Sequence, residues 1–230
     1  MVELKRIDNE VEAMLLRNEI SCLQMLKHEN IVEVWEQLQT KERLYIVGEL
    51  CEGGNLYDHI KRQGKYEVNP GRFSEEVALA TIYQIVKAVS YIHGLGVLHR
   101  DIKSGNVLVK SGMHVKLADF GFAGLIKNDN KSRSYTVGSP LYMSPETYRL
   151  SQYSAKSDVW SIGMVLYEML VGGQPFANAT WEIVFNAITS ENLMATLPKS
   201  LSPFCRLILG RMFQINPNDR ADTAEILNYL

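Results

Sequence analysis

Apolar and polar residues alternate at the start of the chain, in Val2-Glu3-Leu4-Lys5-Arg6-Ile7, which predicts a short strand. Over 10–27 the period lengthens. Leu16, Ile20, Leu23 and Leu26 recur at helical spacing and form one apolar face. Leu44-Tyr45-Ile46-Val47-Gly48-Glu49-Leu50 reads as a buried strand, and two glycines in Cys51-Glu52-Gly53-Gly54-Asn55-Leu56 break the apolar run. A short helix is expected over 56–62 and a longer one over 74–94. Ser74 suits the N-cap of the longer helix, Glu75 and Glu76 suit its positive end, and Gly94 or Gly96 closes it. Its packing face is Val77, Thr81, Ile85, Ala88, Val89 and Ile92. Val107-Leu108-Val109 and His114-Val115-Lys116-Leu117-Ala118, either side of Ser111-Gly112, read as a hairpin. Residues 157–170 are apolar on nearly every side, as in a central buried helix. Further helices are expected over 181–188 and 203–213.

Composition narrows the class without naming it. A chain of 230 residues, 46% hydrophobic and 22% charged, can bury one or two packed lobes. A net charge of −2 gives no basic surface for nucleic acid or an anionic membrane, so neither is expected as a partner. Cys22, Cys51 and Cys205 are odd in number and far apart, which suits a reducing, cytoplasmic setting and no zinc site. His28, His59, His93 and His114 have no metal-ligand spacing. No apolar run reaches membrane-spanning length and no secretory signal opens the chain.

The chemistry concentrates in His99-Arg100-Asp101-Ile102-Lys103-Ser104-Gly105-Asn106, followed by Asp119-Phe120-Gly121. Read as H-R-D-x-x-x-x-N and D-F-G, the pair resembles the catalytic loop and metal-binding loop of the eukaryotic protein kinases. Phosphoryl transfer asks for a base or orienter for the incoming hydroxyl, metal ligands, and positive charge on the moving group. The resemblance implies Asp101 as the residue that orients the hydroxyl. Lys103, two residues on, points the same way if the segment is extended, and neutralises γ-phosphate charge. Asn106 and Asp119 are implied as ligands of Mg²⁺, a hard cation that takes oxygen donors. The intervening hairpin would bring these two ligands together.

The similarity extends along nearly the whole chain. Lys5 stands where the family has the strand lysine that holds the α- and β-phosphates of ATP, and Glu19 where it has the helix glutamate that pairs with that lysine. His28-Glu29-Asn30-Ile31-Val32 is similar to the family's H-x-N-I-V turn. Glu49 to Cys51 resembles the hinge between lobes, whose backbone groups bind adenine, and Gly48 before it replaces a residue that is usually bulky. Its missing side chain is expected to open a cavity behind the adenine site. Gly138-Ser139-Pro140-Leu141-Tyr142-Met143-Ser144-Pro145-Glu146 resembles the substrate-side segment, and Asp158 the brace of the catalytic-loop backbone. Arg220 stands as the buried partner of Glu146. His99 and Phe120 are expected to pack, as are Tyr45, Tyr83, Tyr91 and Tyr167. Arg100 is expected to receive a phosphate on Ser134, Tyr135 or Thr136.

One element departs from the pattern: no G-x-G-x-x-G loop precedes Lys5. The fold that the resemblance implies is α+β: a bilobal protein-kinase-like fold with a truncated N-terminal β-lobe at 1–49 and a mainly helical C-terminal lobe at 50–230. Such a chain would expose a sheet edge and an uncovered apolar face. Lys103 and Ser139 together point to serine/threonine transfer, and the resemblance as a whole implies a kinase that acts on proteins, uses ATP and Mg²⁺, and can be served by an upstream activating kinase. The subgroups most similar in feel are the calmodulin-dependent-like and autophagy-initiating kinases. Two other readings stay open: a regulatory or scaffold protein on the same fold with impaired ATP use, and a small-molecule kinase. The Glu146 and Arg220 elements weigh against the latter.

Overall fold

A computed structural model describes residues 2–6, 10–39, 43–63, 72–125, 137–173, 185–186 and 192–230. Ser134, Tyr135, Thr136 and most of the helix expected over 181–188 lie outside the described residues. The alternating start forms β1 (Val2–Arg6), and the amphipathic stretch forms α1 (Glu10–Met25). Then β2 (Val34–Gln39) and β3 (Arg43–Gly48) complete an antiparallel sheet in the order β1-β3-β2. Lys5 stands opposite Leu44 in that sheet. Leu16 and Ile20 of α1 pack on Ile46 of β3 in a small core, while Leu23 and Leu26 join the main one. One apolar face thus serves two clusters and ties the sheet to the rest of the molecule.

Gly48 lines an open cleft, but the place of its missing Cβ is not itself free space. The β2–β3 register is irregular between Val34 and Glu36, and this draws the Glu33 carbonyl over the end of β3. A Cβ at Gly48 would lie 2.7 Å from the Glu33 backbone oxygen, which already accepts the Glu49 N–H at 2.9 Å. The expected space is occupied by neighbouring backbone, and glycine is there for close approach. We therefore expect Gly48→Ala to destabilise the protein by about 1–3 kcal/mol, the usual cost of overpacking. Thermal unfolding checks this, and an unchanged melting temperature would show that the strand end gives way freely.

The remaining chain is mostly helical: α2 (Leu56–Gln63), α3 (Glu75–Gly94), α4 (Pro145–Leu150), α5 (Ala155–Val171), α6 (Asn192–Ala195), α7 (Pro203–Met212) and α8 (Thr223–Tyr229). Four short strands, β4 (Val97–Leu98), β5 (Val107–Val109), β6 (Val115–Leu117) and β7 (Gly124–Leu125), form two antiparallel pairs, β4 with β7 and β5 with β6. The Ser74 hydroxyl caps α3 by accepting the Val77 N–H at 3.3 Å, and Leu95 follows as its C-cap, with Gly96 at φ +74° just beyond. Helices α3 and α5 pack together through Ile82, Ile85, Val89, Ile162, Val165 and Leu166, all at most 1% exposed. Tyr83 departs from expectation: it lies on the outer face of α3 and is exposed, because the packing face is the Thr81, Ile85, Val89 stripe.

Two sets of backbone bonds join the sheet region to the helical region. Val32 N–H donates to Leu117 at 3.0 Å, and Leu117 N–H to Asn30 at 2.8 Å. Gly53 N–H donates to Val109 at 2.9 Å, and Val109 N–H to Gly54 at 2.8 Å. The β5–β6 hairpin is therefore held by the segments before and after the β2–β3 pair.

Candidate active site

The loop 99–106 is positioned from beneath by Asp158, in the first turn of α5. Its Oδ2 and Oδ1 each accept a loop N–H at 3.0 Å, from His99 and Arg100 respectively, and Oδ2 also faces His93 Nε2 at 2.8 Å. Burial alone would raise the Asp158 pKa. The hydrogen bond and charge of His93, with lesser help from His99, more than offset it, so the carboxyl is held below its ordinary range. This brace allows Arg100 to adopt φ +68°, a conformation that costs a non-glycine residue energy. His99 is fully buried and desolvation holds its imidazole below the usual value. As a neutral ring it donates from Nε2 to the Ala118 carbonyl at 3.2 Å and accepts the Asp101 N–H on Nδ1 at 3.3 Å. Its edge packs on Phe120, ring centres 4.6 Å apart. Both residues take the packing role expected of them.

Lys103 is extended, at φ −156° and ψ 161°, so its side chain returns to the side of Asp101. Its Nζ donates to Asp101 Oδ2 at 2.8 Å and to Ser139 Oγ at 2.9 Å. Asn106 ends a 3-10 turn and donates from Nδ2 to the Asp101 carbonyl at 2.9 Å and to Oδ2 at 3.0 Å. Asp101 Oδ2 is thus shared by two donors, while Oδ1 is buried and has no partner among the described residues. Gly138 makes the approach of Ser139 possible. Its φ is +103°, and a Cβ there would lie 2.5 Å from the Arg100 carbonyl.

Asp119 lies just beyond β6, beside Asn106 across the hairpin, and Ala118 N–H donates to the Asn106 carbonyl at 2.9 Å. Its φ is +62°, and among the described residues its Oδ1 accepts only a long 3.4 Å bond from Gly121 N–H. An open cleft with a cavity volume of about 210 Å³ is lined by Glu19, Leu23, Val32, Val34, Ile46, Gly48, Glu49, Leu108, Asn106 and Asp119, among others.

The structure thus brings Glu19, Glu49, Asn106 and Asp119 onto one cleft, with Asp101 and Lys103 joined to it through Asn106. Glu19 is 6% exposed. Lys5 is placed on β1, next to β3. Cys51 is buried but not on the cleft wall, and its carbonyl closes a turn by accepting Gly54 N–H at 3.3 Å. The Glu49 amide is committed to Glu33, which leaves its carbonyl as the polar backbone group at that position.

Several contacts had no signature in the sequence. The Glu49 carboxylate accepts from Lys110 at 2.8 Å and lies 2.6 Å from Lys116 Nζ, an ion-pair cluster behind the cleft. Burial would raise its pKa, yet the two lysines hold it below the ordinary value. Tyr153 clamps Val137 by accepting its N–H and donating to its carbonyl, both at 2.6 Å, and its ring lies 5.3 Å from the Arg100 guanidinium. Asn18 reaches the backbone after Asp119. Each of these pairs is distant in sequence, and no local pattern announces it.

Comparison with known proteins points one way. The family profile described as the protein kinase domain matches residues 1–230. CBL-interacting protein kinase 1 of Oryza sativa subsp. japonica is 38% identical over 215 residues, covering 92% of this chain and 44% of that protein. The probable serine/threonine-protein kinase nek2 of Dictyostelium discoideum is 36% identical over 225 residues, 96% of this chain and 53% of its own length. The serine/threonine-protein kinase PLK4 of Xenopus tropicalis is 31% identical over 229 residues, 100% of this chain and 23% of its own length. The chain thus spans about half or less of the relatives it matches.

Proposed function

The chain belongs to the protein kinase domain family, and on that premise we propose that it transfers the γ-phosphoryl group of ATP to serine and threonine hydroxyls of proteins. The observation that carries this reading is the Asp101, Lys103, Asn106 and Ser139 constellation. One lysine bridges the catalytic-loop aspartate and the substrate-side serine, and the aspartate keeps one buried oxygen without a partner among the described residues. That oxygen supports Asp101 as the acceptor of the substrate hydroxyl proton. The hydroxyl oxygen bonds phosphorus as the bond to the β-phosphate oxygen breaks, and ADP carries away the displaced charge. Lys103 stabilises the charge that develops on the moving group.

Asn106 and Asp119 would hold Mg²⁺. Asn106 commits its Nδ2 to Asp101 and thereby leaves Oδ1 as an oxygen donor, and Asp119 is nearly unengaged among the described residues. Two oxygens on one cleft, with phosphates and water completing the shell, fit this ion. When bound it would neutralise phosphate charge. Leu23, Val32, Val34 and Ile46 give the apolar walls an adenine ring asks for. We keep 1–49 and 50–230 as the two lobes, with Lys5 and Glu19 as the phosphate-side pair and Glu49 and Cys51 as the hinge. Three free, buried cysteines support a reducing, cytoplasmic setting. No helix among the described residues is long and apolar enough to cross a membrane. Phosphoamino-acid analysis of a mixed substrate tests the hydroxyl class: phosphoserine and phosphothreonine are expected, and phosphotyrosine alone would overturn the assignment.

An upstream kinase acting on the loop before Gly138 is part of this reading. Arg100 supports it, since its buried Nε has no partner among the described residues. A phosphate carries roughly −1.5 to −2 charge at pH 7 and can form one to three charge-assisted bonds with such a group. Thr136 is the first candidate, followed by Ser134 and Tyr135. Phosphatase treatment or Thr136→Ala is expected to lower the rate several-fold. A rate unchanged by phosphatase, Thr136→Ala and the Ser134→Ala double variant would remove the loop as the switch.

A further inference from the structure

We infer that Asn18 is a positioning residue for Asp119, coupling the placement of α1 to the geometry of the metal-binding loop. Asn18 immediately precedes Glu19, so one turn of helix carries both the acidic group that lines the cleft and an amide that leaves the helix in another direction. The Asn18 Nδ2 lies within hydrogen-bond reach of three backbone carbonyls: Phe120 at 3.3 Å, Gly121 at 3.0 Å and Ala123 at 2.8 Å. An amide nitrogen has two hydrogens, so the three acceptors share them, with the shortest contact to Ala123. The carbonyls belong to the turn that directly follows Asp119, closed by Ala123 N–H donating to Phe120 at 3.0 Å.

The turn needs such a hold. Asp119 sits at φ +62°, a conformation that non-glycine residues keep only when their surroundings fix it. From the carboxylate itself comes, among the described residues, only the 3.4 Å bond to Gly121 N–H. The Phe120 side chain is fixed on the other flank, buried against His99 of the catalytic loop. The segment is therefore gripped from two elements: its side chain by the catalytic loop and its backbone by Asn18. A shift of α1 along its axis would move Glu19 and release the carbonyls in the same motion. The alternative, a surface asparagine that happens to touch a turn, does not account for three acceptors converging on one nitrogen.

The catalytic consequence rests on the kinase reading, whereas the tether does not, and the experiment separates the two. Asn18→Asp keeps the shape and removes both donors, and Asn18→Gln keeps the donors on a longer arm. Hydrogen exchange measured by mass spectrometry without nucleotide is expected to rise several-fold in 118–125 for Asn18→Asp while the amides of α5 stay as in wild type. With a peptide substrate, Asn18→Asp is expected to lower kcat about 10- to 100-fold, the scale of a misplacement near 1 Å. The Mg²⁺ concentration for half-maximal rate should rise, with the peptide KM unchanged. Asn18→Gln should recover part of the rate and of the protection. Wild-type exchange in 118–125 of Asn18→Asp would overturn the tether. A loss of protection that spreads equally through α5 would overturn it too, because the role would then be general stability. If wild-type protein transfers no phosphoryl group, the kinase reading fails, and the exchange comparison still decides the inference about the loop.

Discussion

Replacing Asp119 is expected to abolish most phosphoryl transfer. The loss of one preorganised electrostatic group typically costs about 10²–10³ in rate, and a metal ligand should cost at least that. Among the described residues the side chain makes one long contact, so its removal leaves little unsatisfied there. Backbone conformation decides the choice of variant. At φ +62°, alanine is less tolerated than aspartate or asparagine, so Asp119→Ala mixes a conformational penalty with the loss of the carboxylate. Asp119→Asn keeps the shape and the tolerance of this conformation and removes the charge. We expect both variants to fall by at least about 10² in kcat, with the melting temperature of Asp119→Asn close to wild type. Near-full activity in Asp119→Asn with unchanged Mg²⁺ dependence would mean that the carboxylate does not hold the metal.

The largest stability effect is expected at Arg220. It is 1% exposed and bonded to both carboxylate oxygens of Glu146, Nη1 at 2.7 Å and Nη2 at 2.9 Å. It also donates to the Gln214 carbonyl at 2.9 Å and the Lys156 carbonyl at 2.9 Å, and its guanidinium lies 5.0 Å from the Trp160 ring centre. Removing one partner of a buried pair strands the other charge and costs about 3–5 kcal/mol. Arg220→Met should accordingly lower the melting temperature by roughly 6–20 °C for a chain of this size. The Glu146→Gln, Arg220→Met double variant should recover only part of this, because the Lys156 and Gln214 carbonyls stay without their donor.

The same pair sets a dependence on pH. Burial would raise the Glu146 pKa, but Arg220 more than offsets this, so the folded value lies below the ordinary 4.5. A depressed carboxylate pKa contributes stability that is fully present above the unfolded value. That stability is lost as pH falls through the folded one. The melting-temperature gap between wild type and Arg220→Met should therefore be widest near neutrality and narrow below about pH 4. A gap that stays constant on acidification would show that Arg220 acts through its carbonyl contacts and packing rather than through charge.

Much of this was legible in the chain because the informative residues carry local signals. Leu16, Ile20, Leu23 and Leu26 mark α1 by period alone, and Ser74 with Glu75 and Glu76 marks the start of α3. The extended form of Lys103 follows from its spacing to Asp101, since alternate residues of an extended segment share a side. Gly48 shows where such reading stops. A glycine in a strand signals either open space or close backbone approach, and only the irregular register that brings the Glu33 carbonyl over it decides. Lys110 and Lys116 look like solvated hairpin lysines until the fold brings Glu49 to them. Asn18 sits beside Glu19 in sequence, yet its acceptors lie more than a hundred residues away, so no local pattern foretold it. In each case the missing information was a pairing between segments, which periodicity does not carry.

The most direct measurement follows γ-labelled ATP with Mg²⁺ and a generic serine/threonine substrate, comparing this protein with Asp101→Asn. The reading predicts label on substrate hydroxyls, with the rate lowered by at least about 10² in the variant and an unchanged melting temperature. No transfer by the wild-type protein, before and after treatment with an activating kinase, or equal transfer by Asp101→Asn, would contradict it.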